Sequence, residues 1–417
     1  MTQKFTAKEI HFLKNGTKGD KSGETEDRQI SPPDNYFSDL LHDPSVRFTA
    51  FKKRLAGTKV PGGKFICAVV QIDQEASEET REAARDIFEA CFHSVLDSDR
   101  GIWESLDDTA FVLVFWDYKN EKDGTRLLTL LKDKISGRLK ADLLMGTAAC
   151  PFYDFEQDQI LGNALKAFDH AAFFGPSHSV TFDAVSLNIS GDRLFQLGRH
   201  GEAIAEYEKG LAIDPKNINL INSLGVSHGI MDQLDKALDC FEQASAISPE
   251  EVMVIYNIGL IHRIKGKEDK AILYLKKAHA INPEIFEIEL LLGHLLFKQE
   301  LFDQALPYLD AAVRLNPESG TAFRLKGQIL LDRNELVEAG TQFNMAVKRS
   351  PNDAMALSGY ARTMALRQKN LSIALSFAKK ARDLDPENPL FSESLEEILE
   401  LSETAKAENR DKTIKSA

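Results

Sequence analysis

The apolar positions change their rhythm near residue 183. Before it, short apolar runs alternate with amphipathic stretches; after it, a helical period continues almost to the end of the chain. Phe65 to Ile72 (FICAVVQI) is nearly unbroken apolar and rich in branched residues, which predicts a strand covered on both faces. Glu78 to Leu96 places Ala83, Ile87, Cys91 and Val95 along one helical face. Extended runs follow at Gly101 to Glu104 and Ala110 to Trp116, joined by a tight polar turn at Ser105 to Asp108. A helix near Thr125 to Leu139, a strand near Leu143 to Ala149, a helix near Asp158 to Phe173 and a short strand at Ser179 to Phe182 complete an α/β layer. Residues 1–45 are polar and read as a flexible arm, with Ile10, Phe12 and Leu13 as its one apolar set.

Beyond residue 183 the pattern repeats. Pro215, Pro249, Pro283, Pro317 and Pro351 recur every 34 residues, and Pro386 follows after 35. A glycine stands in each first helix at Gly191, Gly225, Gly259, Gly293 and Gly327, with Ala361 replacing it in the sixth unit. Ala203, Ala237, Ala271, Ala305, Ala339 and Ala374 hold the matching place in the second helix. Glycine inside a helix costs about 1 kcal/mol against alanine. Its recurrence therefore points to helices packed too close for a side chain, with Tyr207, Phe241, Leu275, Leu309 and Phe343 filling the space beside it. Self-similarity at this period marks stacked helical hairpins, and the pattern resembles the tetratricopeptide repeat over about 184–388. The expected fold is therefore α/β plus all-α: an α/β domain over 46–183, then a right-handed solenoid of about six hairpins over 184–388. A capping helix is expected at 389–403, with Leu390, Leu395, Ile398 and Leu399 inward, and a charged tail at 404–417.

Composition narrows the partners. Against 51 basic residues stand 64 acidic ones, and no basic run offers a face for phosphate backbones, so a nucleic-acid partner is not expected. The four cysteines (67, 91, 150 and 240) are widely spaced in apolar surroundings and read as reduced, buried thiols. Met1 to Gly16 lacks the features of a signal peptide and no run is long enough to span a membrane, so the expectation is a soluble, cytoplasmic protein.

The α/β domain resembles the GGDEF domain of diguanylate cyclases over about 60–183. The likeness rests on Met145 to Pro151, on Asn163 to Phe168 running through Phe174-Gly175, and on Val180-Thr181-Phe182. It implies a nucleotide site at the end of the first strand and on the hairpin, where the family holds metal ions with carboxylates. Here Gln71 takes the first ligand position, and Leu106-Asp107-Asp108-Thr109-Ala110 stands for the signature hairpin, with both glycines gone. Gln71, Asp73, Asp107 and Asp108 thus mark a degenerate nucleotide site, whose three aspartates are read as solvated turn carboxylates in preference to a weak metal cluster. No catalytic residue, metal or cofactor is expected.

The repeat resemblance implies that residues flanking each first-helix glycine line a groove for a protein partner. In this chain those are Asn188, Phe195, Asn222, Met253, Tyr256, Leu260, Arg263, Leu290, His294, Phe297, Arg324 and Arg362, an apolar middle followed by basic positions. Such a surface suits an apolar-anchored peptide or helix with some acidic character. The leading expectation is a non-enzymatic adaptor. A sensor of GTP or cyclic di-GMP signalling through the repeats is the alternative, and an active cyclase comes third.

Overall fold

The computed structural model describes residues 36–73, 76–96 and 98–415. They form two compact units that part between Ile247 and Ser248.

The first unit holds a five-stranded sheet: β1 (Phe65–Ile72), β2 (Gly101–Ser105), β3 (Ala110–Trp116), β4 (Leu143–Cys150) and β5 (Ser179–Thr181), in the order β2-β3-β1-β4-β5. All neighbours are antiparallel except β4 and β5. Helix α1 (Val46–Gly57) precedes the sheet, α2 (Glu78–Val95) and α3 (Glu121–Leu139) connect β1 to β2 and β3 to β4, and α4 (Ile160–Ala172) precedes β5. The path through β4 is β-α-β-β-α-β, the split βαβ arrangement.

The apolar run of β1 follows from this layering. Phe65, Cys67 and Val69 pack with Phe48 and Phe51 of α1 and with Leu165 and Phe168 of α4. Ile66, Ala68, Val70 and Ile72 pack with Phe88 and Phe92 of α2 and with Leu128 and Leu131 of α3. Trp103 lies in this second layer, 5.2 Å from Phe88 and 6.2 Å from Phe111 between ring centres. The three cysteines of the domain are buried and unpaired, and Cys240 is a free, partly buried thiol.

Helix α4 is buried all round, and its outer face is polar. Asn163, Lys166, Asp169 and His170 are each 9 % exposed or less. A satisfied polar face is needed because a buried, unpaired charge is costly. The partners come from two directions. Asp169 accepts the backbone N–H groups of Phe37 (2.7 Å) and Ser38 (3.0 Å), so the segment before α1 docks here as a 3-10 turn, Phe37–Leu41. The expectation of a flexible arm over 1–45 is thus corrected for 36–45, where Tyr36 is itself buried; residues 1–35, Ile10, Phe12 and Leu13 among them, lie outside the described residues. On the other side, Lys166 is ion-paired with Glu206, and His170 Nδ1 lies 3.2 Å from Ser186 Oγ. Glu206 and Ser186 belong to the first helical pair, α5 (Ala184–Gln196) and α6 (His200–Ile213), so that pair is bonded to the α/β layer. Asp183 caps α5 with no intervening linker, accepting the N–H of Ser186 at 2.8 Å. A second pair, α7 (Ile218–Ile230) and α8 (Leu234–Ile247), completes the unit.

The second unit holds four more pairs: α9 (Val252–Ile264) with α10 (Glu268–Ile281), α11 (Phe286–Lys298) with α12 (Phe302–Leu315), α13 (Gly320–Asp332) with α14 (Leu336–Arg349), and α15 (Ala354–Leu366) with α16 (Leu371–Leu384). Its final helix, α17, runs Pro389–Lys415, so the expected cap and tail are one helix. The reason lies in the Ala, Glu, Lys and Arg content of 403–415 and its lack of Gly or Pro. Phe391, Leu395 and Ile398 are the buried face, spaced for a helix, while Leu390 and Leu399 are exposed.

Candidate functional site

The hairpin between β2 and β3 brings the expected nucleotide residues near one another. Gln71 pairs with Ala110 on β3 and Leu144 on β4, and the Ile72 N–H donates to the Thr109 carbonyl at 3.0 Å. Asp107 is spent on the turn: its Oδ1 accepts the N–H of Thr109 (2.7 Å), the N–H of Ala110 (2.8 Å) and the Thr109 hydroxyl (3.0 Å). That is the self-capping an aspartate provides when glycine is missing. Asp108 is exposed, and the Asp73 N–H donates to the Asp142 carbonyl across the sheet end. Among the described residues no three His, Cys, Asp or Glu gather as a metal-holding cluster.

The expected groove residues divide three ways. Asn222, Tyr256 and Leu260 are interior, at 2 %, 3 % and 1 % exposure. Tyr256 and Leu260 belong to the core with Leu275, Leu292 and Leu309, so they hold repeats together and present nothing to a ligand. The sequence reading misplaced them because the face beside each glycine packs against the next first helix before it reaches solvent.

Asn188 and Phe195 are partly buried in the first unit. Asn188 Nδ2 donates to Asp192 at 3.4 Å, and Asp192 also accepts the Tyr207 hydroxyl at 2.7 Å. Phe195 stands edge-on to His200 at 4.8 Å. Both side chains serve their own helical pair.

The remaining residues lie in the second unit, all but Arg362 on α9, α11 and α13. Met253, Leu290 and Phe297 are partly buried and border the apolar core. Between them stands His294, whose pKa is pushed down to about 4 by burial and by the cations Arg263, Arg324 and Lys298, with Glu268 opposing weakly. The imidazole is thus neutral at pH 7 in a field that is net positive. Lys298, one turn beyond His294, was absent from the expected set; the i, i+4 spacing was the available signal. Two acids temper the patch: Asp353 lies 3.0 Å from Arg324, and Glu268 2.5 Å from Lys298. Arg362, on α15, is 51 % exposed and 3.7 Å from Glu397.

Three stretches match family models of the tetratricopeptide repeat: residues 191–229, 254–285 and 290–354. These hairpins are tetratricopeptide repeats. No curated protein matches the chain. Among solved structures, YrrB, described as a TPR protein with an unusual peptide-binding site, is 24 % identical, covers 45 % of this chain and 96 % of its own, and has a TM-score of 0.41. The pilF protein of Pseudomonas aeruginosa is 20 % identical over 51 % of this chain and 97 % of its own, with a TM-score of 0.48. PilW, described as a type IV pilus biogenesis factor, is 20 % identical over 52 % of this chain and 98 % of its own, with a TM-score of 0.42. Tetratricopeptide proteins mediate protein–protein interactions, and no helix among the described residues is long and apolar enough to cross a membrane.

Proposed function

We propose that the protein is a non-catalytic adaptor whose tetratricopeptide repeats hold a partner through α9, α11 and α13. The observation that carries this reading is the combination of partly buried apolar side chains, Met253, Leu290 and Phe297, with Arg263, Arg324 and Lys298 around a neutral His294. An apolar anchor gives burial energy, and adjacent cations select an acidic flank. The partner is accordingly an extended or helical segment with apolar anchors and nearby acidic residues.

In the same proposal the α/β domain is a degenerate GGDEF-like module that docks or regulates without turnover. Support comes from Gln71 at the end of β1 and from Asp107, whose carboxylate is engaged by three donors of its own turn. A metal ion would have to compete with those bonds.

A photo-crosslinking residue at Phe297 in the full-length protein tests the adaptor reading, with the same residue at exposed Leu273 on α10 as control. Adducts formed from position 297 and not from 273 support it. Equal adducts from both positions, or none from either, overturn it.

A further inference from the structure

The first unit contains a cavity of about 200 Å³ where α1, α4 and α6 meet, lined by none of the hairpin residues. Its wall is the N-terminal turn of α4, including Gln159, Gly162 and Asn163, and its amines are Lys52, Lys166 and Lys209.

Four observations give it a ligand class. The N-terminal turn of α4 has no side-chain cap and no acidic residue, so its positive end has no answering group within the turn, the nearest carboxylate in the chain being Asp158 just before it. Asn163, only 2 % exposed, lines the cavity while its Nδ2 makes no hydrogen bond, an orphaned donor in a well-buried place. Lys52 is exposed and has no carboxylate partner among the described residues. Glu206, which holds Lys166 and Lys209, does not line this cavity but the neighbouring recess, leaving Asp158 as the one carboxylate on its wall.

We propose that this cavity binds a tetrahedral oxyanion of the phosphate class. The Asn163 amide and the first turn of α4 donate to its oxygens, and Lys52 closes over it as counter-charge. The size decides between a whole small molecule and a single group. Drug-sized ligands occupy about 300 to 1,000 Å³, whereas this space is smaller and suits one phosphate, either free or as the end of a larger molecule that extends past Lys52. The inference goes beyond the adaptor reading and does not depend on it.

Isothermal titration of the full-length protein with inorganic phosphate, at ionic strength held constant with sodium chloride, tests the site. Saturable 1:1 binding is expected, weakened about tenfold in Lys52→Gln, whose exposed position leaves folding intact, and at least as much in Asn163→Asp, which sets a carboxylate in the donor's place. A parallel titration with a nucleoside triphosphate separates the sources: equal affinity indicates the free ion, and tighter binding lost in the same variants indicates a phosphate end group. Absence of saturable binding in the wild type, or wild-type affinity in both variants, overturns the proposal.

Discussion

The α/β layer and the helical repeats both use glycine to bring elements together, but the glycines meet different neighbours. A Cβ on Gly146 of β4 would fall on the Phe168 backbone and 2.6 Å from the Ala164 carbonyl, so strand and helix touch main chain to main chain. In the repeats a Cβ would meet side chains: Phe241 at 2.7 Å from Gly225, and Leu275 at 3.2 Å from Gly259. Backbone cannot step aside, whereas a ring or a leucine can turn. The sheet–helix contact is therefore a single fixed fit, and the repeat contact is an adjustable one used many times over. Polar groups differ in density rather than in kind: the outer face of α4 concentrates Lys166, Asp169 and His170 with partners from other elements, while in the second unit the fully buried Glu289 is answered by His279 beside the apolar cluster.

The largest effect should come from Gly146→Ala, which should cost more than about 3 kcal/mol or abolish folding of the α/β layer, read by urea denaturation. Glu206→Ala should follow, at about 3 to 5 kcal/mol, because it strands Lys166, only 10 % exposed at its side chain. Burial already pulls the Lys166 ammonium below the usual lysine range, and Lys166 and Lys209 hold Glu206 down against the burial that would raise it. The double change Lys166→Met/Glu206→Leu removes both charges and should recover most of the loss. If it does not, α4 and α6 are joined by more than this pair.

Asp169 sharpens the comparison through pH. Burial raises its pKa to about 7 in the folded protein, although the Phe37 and Ser38 donors oppose the shift. An acid with a raised folded pKa binds more protons folded than unfolded, so its contribution to stability is greatest at low pH and is lost as pH rises from about 4 to about 7. The stability of wild type relative to Asp169→Asn should therefore fall by a few kcal/mol between pH 4.5 and pH 7.5, with chemical denaturation at each pH as the readout. A pH-independent difference would mean that the carboxylate is ionised throughout.

The smallest effects belong to the repeats. Gly225→Ala should destabilise by about 1 to 2 kcal/mol because Phe241 must shift, and Gly259→Ala should be nearly neutral, as alanine's helical preference of about 1 kcal/mol offsets a mild contact with Leu275. Equal losses at the two sites, in thermal unfolding, would show that the repeats are as rigidly fitted as the sheet.

Much of this could be read before any coordinates. Proline spacing, the glycine and alanine register and the large residues beside them depend on contacts between neighbours about one repeat apart, so they leave a period in the chain. The strands were readable for a similar reason: β1 is apolar at almost every position because both of its faces are covered. What stayed hidden involves partners far apart in sequence. Asn163, Lys166, Asp169 and His170 read as an ordinary polar helix face until Phe37, Ser186 and Glu206 arrive to bury them. Tyr256 and Leu290 each stand three residues before the glycine of their repeat, yet the first is interior and the second only partly buried. Sequence alone determined the repeat, its period and the succession of strands and helices along the α/β layer, because those rest on local pattern. Only the tertiary structure decided which polar residues are buried, which carboxylate is spent on its own turn and which apolar residues remain free, because burial is set by whatever packs on top.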